Sequence, residues 1–397
     1  MQFTHSGLLL SVNIAKPAPT SPANTVFDSG VQFDFHTFST RSNEVAEWVG
    51  AVFSALRFRK HLASICRYAS GCMLSATGML LLAVLTLCSI ASAQYTQTTI
   101  PTSNVEEPSA VAVDTAGNIY LANSLPGQVL KETLQANGTY VQTTIVSGLN
   151  DPFGLAVDGN GNLYIANFGN CQVLEEGLEF RLGGGEGYHK IVYYQYPQLT
   201  EYSIYCPQAV AVDGSGNVYS AASNGQTGYG SVAKLTPSAS GGPTVSVIID
   251  RYQLNPEGVV VQNNGAILIS DRSYFGTPGT GVFDVFIETP SSGSYLESTA
   301  IFSGTPSYYG GAMALDAIGN LYITIGTNQV AMVPFSGGPS EIVLDLGATL
   351  PSNYFLTGIA VDSSDNLYLS AGPTTTVEGS TNDGLLLKET LTNIGPD

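Results

Sequence analysis

Few residues in this sequence are equipped for chemistry, and they are scattered. Glu257, Asp271 and Arg272 form one candidate group. Two carboxylates could move a proton, or could offer oxygens to a hard divalent cation. Such a cation takes six or more oxygen ligands, so Glu257 and Asp271 make a thin metal site, and no metal or other cofactor is expected. His189 is the one histidine after residue 93, and it has no recurring partner. No Gly-x-Ser-x-Gly nucleophile motif occurs, so a catalytic triad is not expected. Asp158-Gly-Asn-Gly-Asn162 is rich in oxygen donors. It lacks the spaced carboxylates and terminal Glu of a calcium loop, and hairpin chemistry accounts for it. The remaining polar candidates suit recognition: Asn123, Asn167 and Asn170 as amides, Tyr193 and Tyr194 as rings that stack and hydrogen-bond at once.

What must position these residues is a repeat. Pro152-Phe-Gly-Leu-Ala-Val-Asp158-Gly-Asn-Gly-Asn-Leu-Tyr164 has five variants, with turn entries at Asp114, Asp213, Gln262, Asp316 and Asp362. The apolar run before the turn reads as a buried strand. The Asp and Gly supply turn geometry. The β-branched and aromatic residues after it read as a second strand. Units of 44 to 55 residues with several strands each imply propeller blades. The expected fold is all-β, a six-bladed β-propeller of four-stranded antiparallel blades.

The ends of the chain carry the same logic. Tyr95-Thr-Gln-Thr-Thr-Ile100 nearly copies Tyr140-Val-Gln-Thr-Thr-Ile145, a fourth strand. Gly384-Leu-Leu-Leu-Lys388 resembles Gly127-Gln-Val-Leu-Lys131, a third strand. The N-terminal strand is therefore expected to complete the last blade and close the ring, removing an exposed edge. Two long stretches, Glu175–Tyr205 and Ser273–Gly281, read as loop insertions; these often bind, and simple drift in repeat length is the alternative.

Residues 94–397 are the expected propeller. The run 79–93 ends in Ala91-Ser-Ala93 and, with upstream Arg57, Arg59, Lys60 and Arg67, reads as a signal peptide spanning 73–93. Residues 1–72 show no repeat; a start-site artefact is the preferred reading, a tail on an uncleaved anchor the alternative. The expected location is secreted or periplasmic, with no stable membrane span after cleavage. The chain has a formal charge of −18, and residues 94–397 hold 7 Lys+Arg against 27 Asp+Glu, a net of −20. That surface repels phosphate backbones, which argues against nucleic acid. Export permits a disulfide between Cys171 and Cys206; two unrelated buried thiols are the alternative.

The six units resemble NHL repeats in the Pro-x-Gly-(apolar)-Ala-Val-Asp-x-x-Gly-Asn-(apolar)-Tyr signature, over roughly 95–391. They depart from it after the second strand. The family's Asp and Arg become Asn167 and Gln172 in Asn167-Phe-Gly-Asn170-Cys-Gln172. The resemblance implies a six-bladed propeller but no single function. Related gluconolactonase-type propellers hold a divalent metal near the starts of the inner strands, where this chain has Ser109, Phe153, Gln208, Glu257, Gly311 and Thr357. Streptogramin-lyase-type propellers use a catalytic His, and His189 is outside the repeat positions. The reading that follows is a monomeric, non-catalytic binding or scaffolding module for a protein, peptide or carbohydrate. Its ligand contacts would be Asn123, Asn167, Asn170, Tyr193, Tyr194, Glu257, Asp271 and Arg272. The alternative is a metal-dependent lyase or lactonase at the channel mouth.

Overall fold

The computed structural model describes residues 2–5 and 8–11 and, from 94 to 392, all but 182–184, 197–204, 225–228, 239–240, 253, 274–281, 292–293, 298–301, 305–309 and 374–383. The expected signal segment, most of 1–72 and most of the Ser273–Gly281 stretch lie outside the described residues. The chain divides into Met1–Leu87 and Cys88–Asp397. In the first unit Gln2–His5 pairs antiparallel with Leu8–Ser11. No helix among the described residues is long and apolar enough to cross a membrane.

The second unit is a six-bladed propeller with antiparallel blades. Blade 1 runs Pro108–Val113, Ile119–Asn123, Gln128–Leu134 and Tyr140–Ser147. Blade 2 runs Pro152–Val157, Leu163–Asn167, Gln172–Arg181 and Gly185–Gln195. Blade 3 comprises Cys206–Val212, Val218–Asn224, Tyr229–Ser238 and Gly241–Tyr252. Blade 4 has Pro256–Val261, Ile267–Ser273 and Val282–Ser291, with an outer edge split into Ser294–Glu297 and Phe302–Gly304. Blade 5 contains Gly310–Leu315, Leu321–Ile325, Gln329–Val333 and Glu341–Asp345. In blade 6, Tyr354–Val361, Leu367–Pro373 and Leu385–Thr392 are joined by Gln94–Ile100, with Leu387 opposite Thr99.

The hairpin turns follow from the Asp. Asp158 Oδ1 accepts from the backbone N–H of Asn160 and Asn162, and its Oδ2 accepts from Asn162 Nδ2. Asp114, Asp213, Asp316 and Asp362 repeat this pattern. The turn then needs a left-handed residue. Glycine supplies it in five blades, and Asp365 takes it in blade 6 at φ 59°.

The core lies between blades. Six apolar clusters each join one blade to the next, such as Tyr120, Ala122 and Val129 with Leu155, Leu163 and Ile165. Where inner strands pass each other, side chains must be small. A Cβ on Gly154 would sit 2.8 Å from Ala209 Cα, and one on Gly358 2.8 Å from Val111 N. That backbone-to-backbone approach explains the glycine that alternates with alanine around the centre.

The Glu175–Tyr205 stretch departs from expectation. Much of it extends the ladder: Gln172–Arg181 pairs with Gly185–Gln195 along their lengths. The β-branched and aromatic run Ile191-Val-Tyr-Tyr194 explains this. Cys171 and Cys206 are disulfide-bonded with Cα atoms 4.2 Å apart, linking the end of a 3-10 turn in blade 2 to the first strand of blade 3.

Candidate active site at the centre of the ring

The position after the leading Pro is set by a register break. In blades 1 to 4 and 6 the ladder between the first two strands skips one residue: Ser109, Phe153, Gln208, Glu257 and Thr357. In blade 5 the break spans Gly311 and Ala312. A bulge of this kind leaves a residue unpaired and re-aims its side chain. The six candidate positions are therefore the ones that the sheet releases.

Most of these side chains are spent on neighbours. Ser109 Oγ donates to the Pro152 carbonyl at 2.5 Å. Gln208 Nε2 donates to Ser223 Oγ at 2.6 Å. Thr357 Oγ1 and Ser370 Oγ share a hydrogen bond of 2.9 Å. Phe153 is 43% exposed and lies 5.3 Å from the Phe168 ring, which makes an open aromatic platform.

Blade 4 differs. Glu257 Oε2 lies 2.7 Å from an Arg272 guanidinium nitrogen, and each side chain keeps about a fifth of its surface accessible. Burial pushes the Glu257 carboxyl up, Arg272 pulls it down and Asp271 pushes it up, leaving it at about 7. Asp271 itself is buried, and its Oδ1 accepts from the Asn255 backbone N–H at 2.7 Å. The Arg272 backbone N–H in turn donates to the Asn255 carbonyl. Glu257, Asp271 and Arg272 are thus brought together, as a carboxyl poised near neutrality beside a fixed cation.

The other expected contacts fall elsewhere. Asn123 is sealed from solvent; its Oδ1 accepts from Glu106 N at 2.7 Å and its Nδ2 donates to the Asn104 carbonyl. Asn167 is 1% exposed, and its Oδ1 accepts from Asn150 N at 2.8 Å. These two, with Asp271, occupy one structural position and hold the loop entering each blade. Asn123 and Asn167 therefore have no surface to offer a ligand. Asn170 is exposed and accepts from Asn150 Nδ2 at 3.2 Å. Tyr193 and Tyr194 belong to the outer strand of blade 2, where they pack edge-on against Tyr164 and Tyr196. They do not join Glu257. Sequence reading missed Phe168 as the partner of Phe153, for which the spacing carried no signal.

The donor set does not fit a divalent metal. Among the central positions Glu257 is the one carboxylate, and its charge is met by Arg272. Among the described residues no group of three or more His, Cys, Asp or Glu side chains could hold an ion.

Solved structures share this architecture. A gluconolactonase from Xanthomonas campestris is 14% identical and has a TM-score of 0.55, covering 77% of this chain and 93% of its own. A PQQ-bound aldose sugar dehydrogenase from Streptomyces coelicolor is 13% identical, with a TM-score of 0.52 and coverage of 75% and 99%. A luciferin-regenerating enzyme is 11% identical, with a TM-score of 0.53 and coverage of 75% and 96%. What they share with this chain is the six-bladed fold. No family model matches the sequence, and no curated protein does.

Proposed function

We propose that this propeller is an enzyme acting at the centre of the ring, with Glu257 as the proton-transfer group and Arg272 as the anion-stabilising group. The observation that carries this reading is the bulge-released Glu257, held at about 7 beside Arg272. A general base works best when its pKa lies near the working pH. A guanidinium aimed at developing negative charge lowers the barrier to acyl chemistry. The reaction class that uses both is lactone hydrolysis. The carbonyl oxygen takes the place of Glu257 on Arg272. Glu257 removes a proton from water, the resulting hydroxide bonds to the carbonyl carbon, and the ring C–O bond breaks. The proton returns from Glu257 to the leaving alkoxide. Phe153 and Phe168 would support the apolar face of the substrate. The fold's occurrence in a gluconolactonase agrees with this class. Since the donor set suits no divalent ion, the chemistry is assigned to the chain's own residues.

The proposal includes a divergent NHL-like repeat and export through the segment at 73–93. The test is turnover of a panel of sugar and aliphatic lactones by the wild type and by Glu257→Gln. A second reading, a binding module for a peptide or carbohydrate, is favoured by the exposed Phe153 platform. Saturable ligand binding without turnover would select it.

A further inference from the structure

At the opposite end of the inner strands, between blades 2 and 3, is a candidate second site that stands apart from the proposed reaction. The molecule carries its own template for it. In blades 1, 3 and 6 the second-strand tyrosines Tyr120, Tyr219 and Tyr368 are faced across the ladder by Lys131, Lys234 and Lys388. Each ammonium sits over its ring, at 5.4, 5.3 and 5.3 Å from the centroid. Each tyrosine hydroxyl donates to its turn aspartate, at 3.1, 3.1 and 3.0 Å.

Blade 2 keeps the tyrosine and the aspartate but reverses the third charge. The residue facing Tyr164 is Glu175. The Tyr164 hydroxyl donates to Glu175 Oε1 at 3.4 Å, where its counterparts bond the turn aspartate. Two carboxylates, Asp158 and Glu175, then border the same ring, and Asp158 pushes the Glu175 carboxyl further up on top of the effect of burial.

Above this ring is a cleft of about 530 Å³ lined by Asp158, Tyr164, Glu175, Ile191, Val192 and Tyr193, among others. The Tyr193 hydroxyl is shut off from solvent and has no hydrogen-bond partner. Ile191 pairs with Glu175 on the same face and is 43% exposed, an apolar wall suited to a methylene stem. A cation over a tyrosine face gains from the ring quadrupole, and two nearby carboxylates deepen the attraction. We propose that this cleft binds an alkylammonium group from outside the chain, set over Tyr164 where blades 1, 3 and 6 place their own lysine. The group belongs to a lysine side chain of a peptide or to a free polyamine.

The test uses the full chain, titrated calorimetrically in low-salt buffer with n-butylammonium, spermidine and N-acetyl-lysine methylamide, with n-butanol as the uncharged control. The expected result is saturable binding of amines and none of n-butanol. Glu175→Gln should weaken amine binding by roughly tenfold, as the loss of about 1.4 kcal/mol implies. Glu175→Lys restores the pattern of blades 1, 3 and 6; it should abolish binding while leaving the melting temperature at or above wild type. Tighter binding of spermidine would identify a polyamine site, and tighter binding of the lysine amide a peptide site. No amine binding by the wild type, equal binding of n-butanol, or undiminished binding in Glu175→Gln would each overturn the proposal. The Gln variant decides the matter should the Lys variant fail to fold.

Discussion

Raising the pH from 5 to 8 should destabilise this propeller, and two buried glutamates account for much of the effect. Glu132 and Glu389 are 0% and 1% exposed. Neither carboxylate oxygen of Glu132 has a hydrogen-bond partner, nor does Oε1 of Glu389. Burial pushes both carboxyls from 4.5 to about 7. Between those values the folded chain holds protons that the unfolded chain has released. The stabilising contribution is therefore complete below pH 4.5 and lost as the pH rises through 7. A shift of this size corresponds to about 3 kcal/mol per group at full strength, and relaxation or water entry would reduce it to on the order of 1–3. Glu257 and Glu175 are shifted the same way, so they add to the slope. Asp213 and Asp362 are shifted down by their turn hydrogen bonds despite burial; their contribution is lost only in stronger acid. The assay is urea unfolding at pH 5 and pH 8 of the wild type and of a Glu132→Gln/Glu389→Gln variant. The variant should gain roughly 2–6 kcal/mol at pH 8, change little at pH 5, and show a flatter profile. An unchanged pH slope in the variant, or wild-type stability that rises from pH 5 to 8, would refute the reasoning.

Further outcomes follow from the same geometry. Deleting residues 94–101 removes the partner of Leu385–Thr392 and should lower the melting temperature and broaden the transition; an unaltered melt would count against closure by this strand. Gly154→Ala places a Cβ 2.8 Å from Ala209 Cα and should cost about 1–3 kcal/mol by overpacking, read by urea unfolding. Reducing the Cys171–Cys206 bond, which spans a sequence separation of 35, should cost roughly 3–4 kcal/mol in the chain-entropy model, checked by melting with and without reductant. Asp365→Gly relieves a non-glycine residue at φ 59° beside Asp316 and Asp362 and should stabilise by about 0.5–1 kcal/mol.

Much of the fold was legible because six copies of one hairpin repeat the same instructions. The Asp-to-Asn turn bonds and the small inner-strand residues are local, and local chemistry can be read from spacing. The candidate site was legible only in part. Glu257 stood out because it differs from its five counterparts, but the bulge that releases it depends on strand register. Asn123 and Asn167 look like donors for a ligand when read alone. Their burial reflects a loop from the preceding blade laid across them, which no spacing reveals. Tyr193 and Tyr194 read as loop residues because the extended ladder of blade 2 breaks the length of its siblings. The buried row that includes Glu132 and Glu389 was hidden for a similar reason: a charged residue on a third strand normally faces water, and here the preceding blade covers it.

The most direct measurement of the central claim is the pH dependence of lactone hydrolysis by the wild type, Glu257→Gln and Arg272→Lys. The account predicts a wild-type kcat/KM that rises through about pH 7 with the ionisation of Glu257. It predicts a loss of roughly 100-fold or more in Glu257→Gln, the scale of a removed general base. In Arg272→Lys the rising limb should shift as the ion pair at 2.7 Å is altered. Lactone turnover by Glu257→Gln at the wild-type rate, or no turnover of any lactone by the wild type, would contradict it.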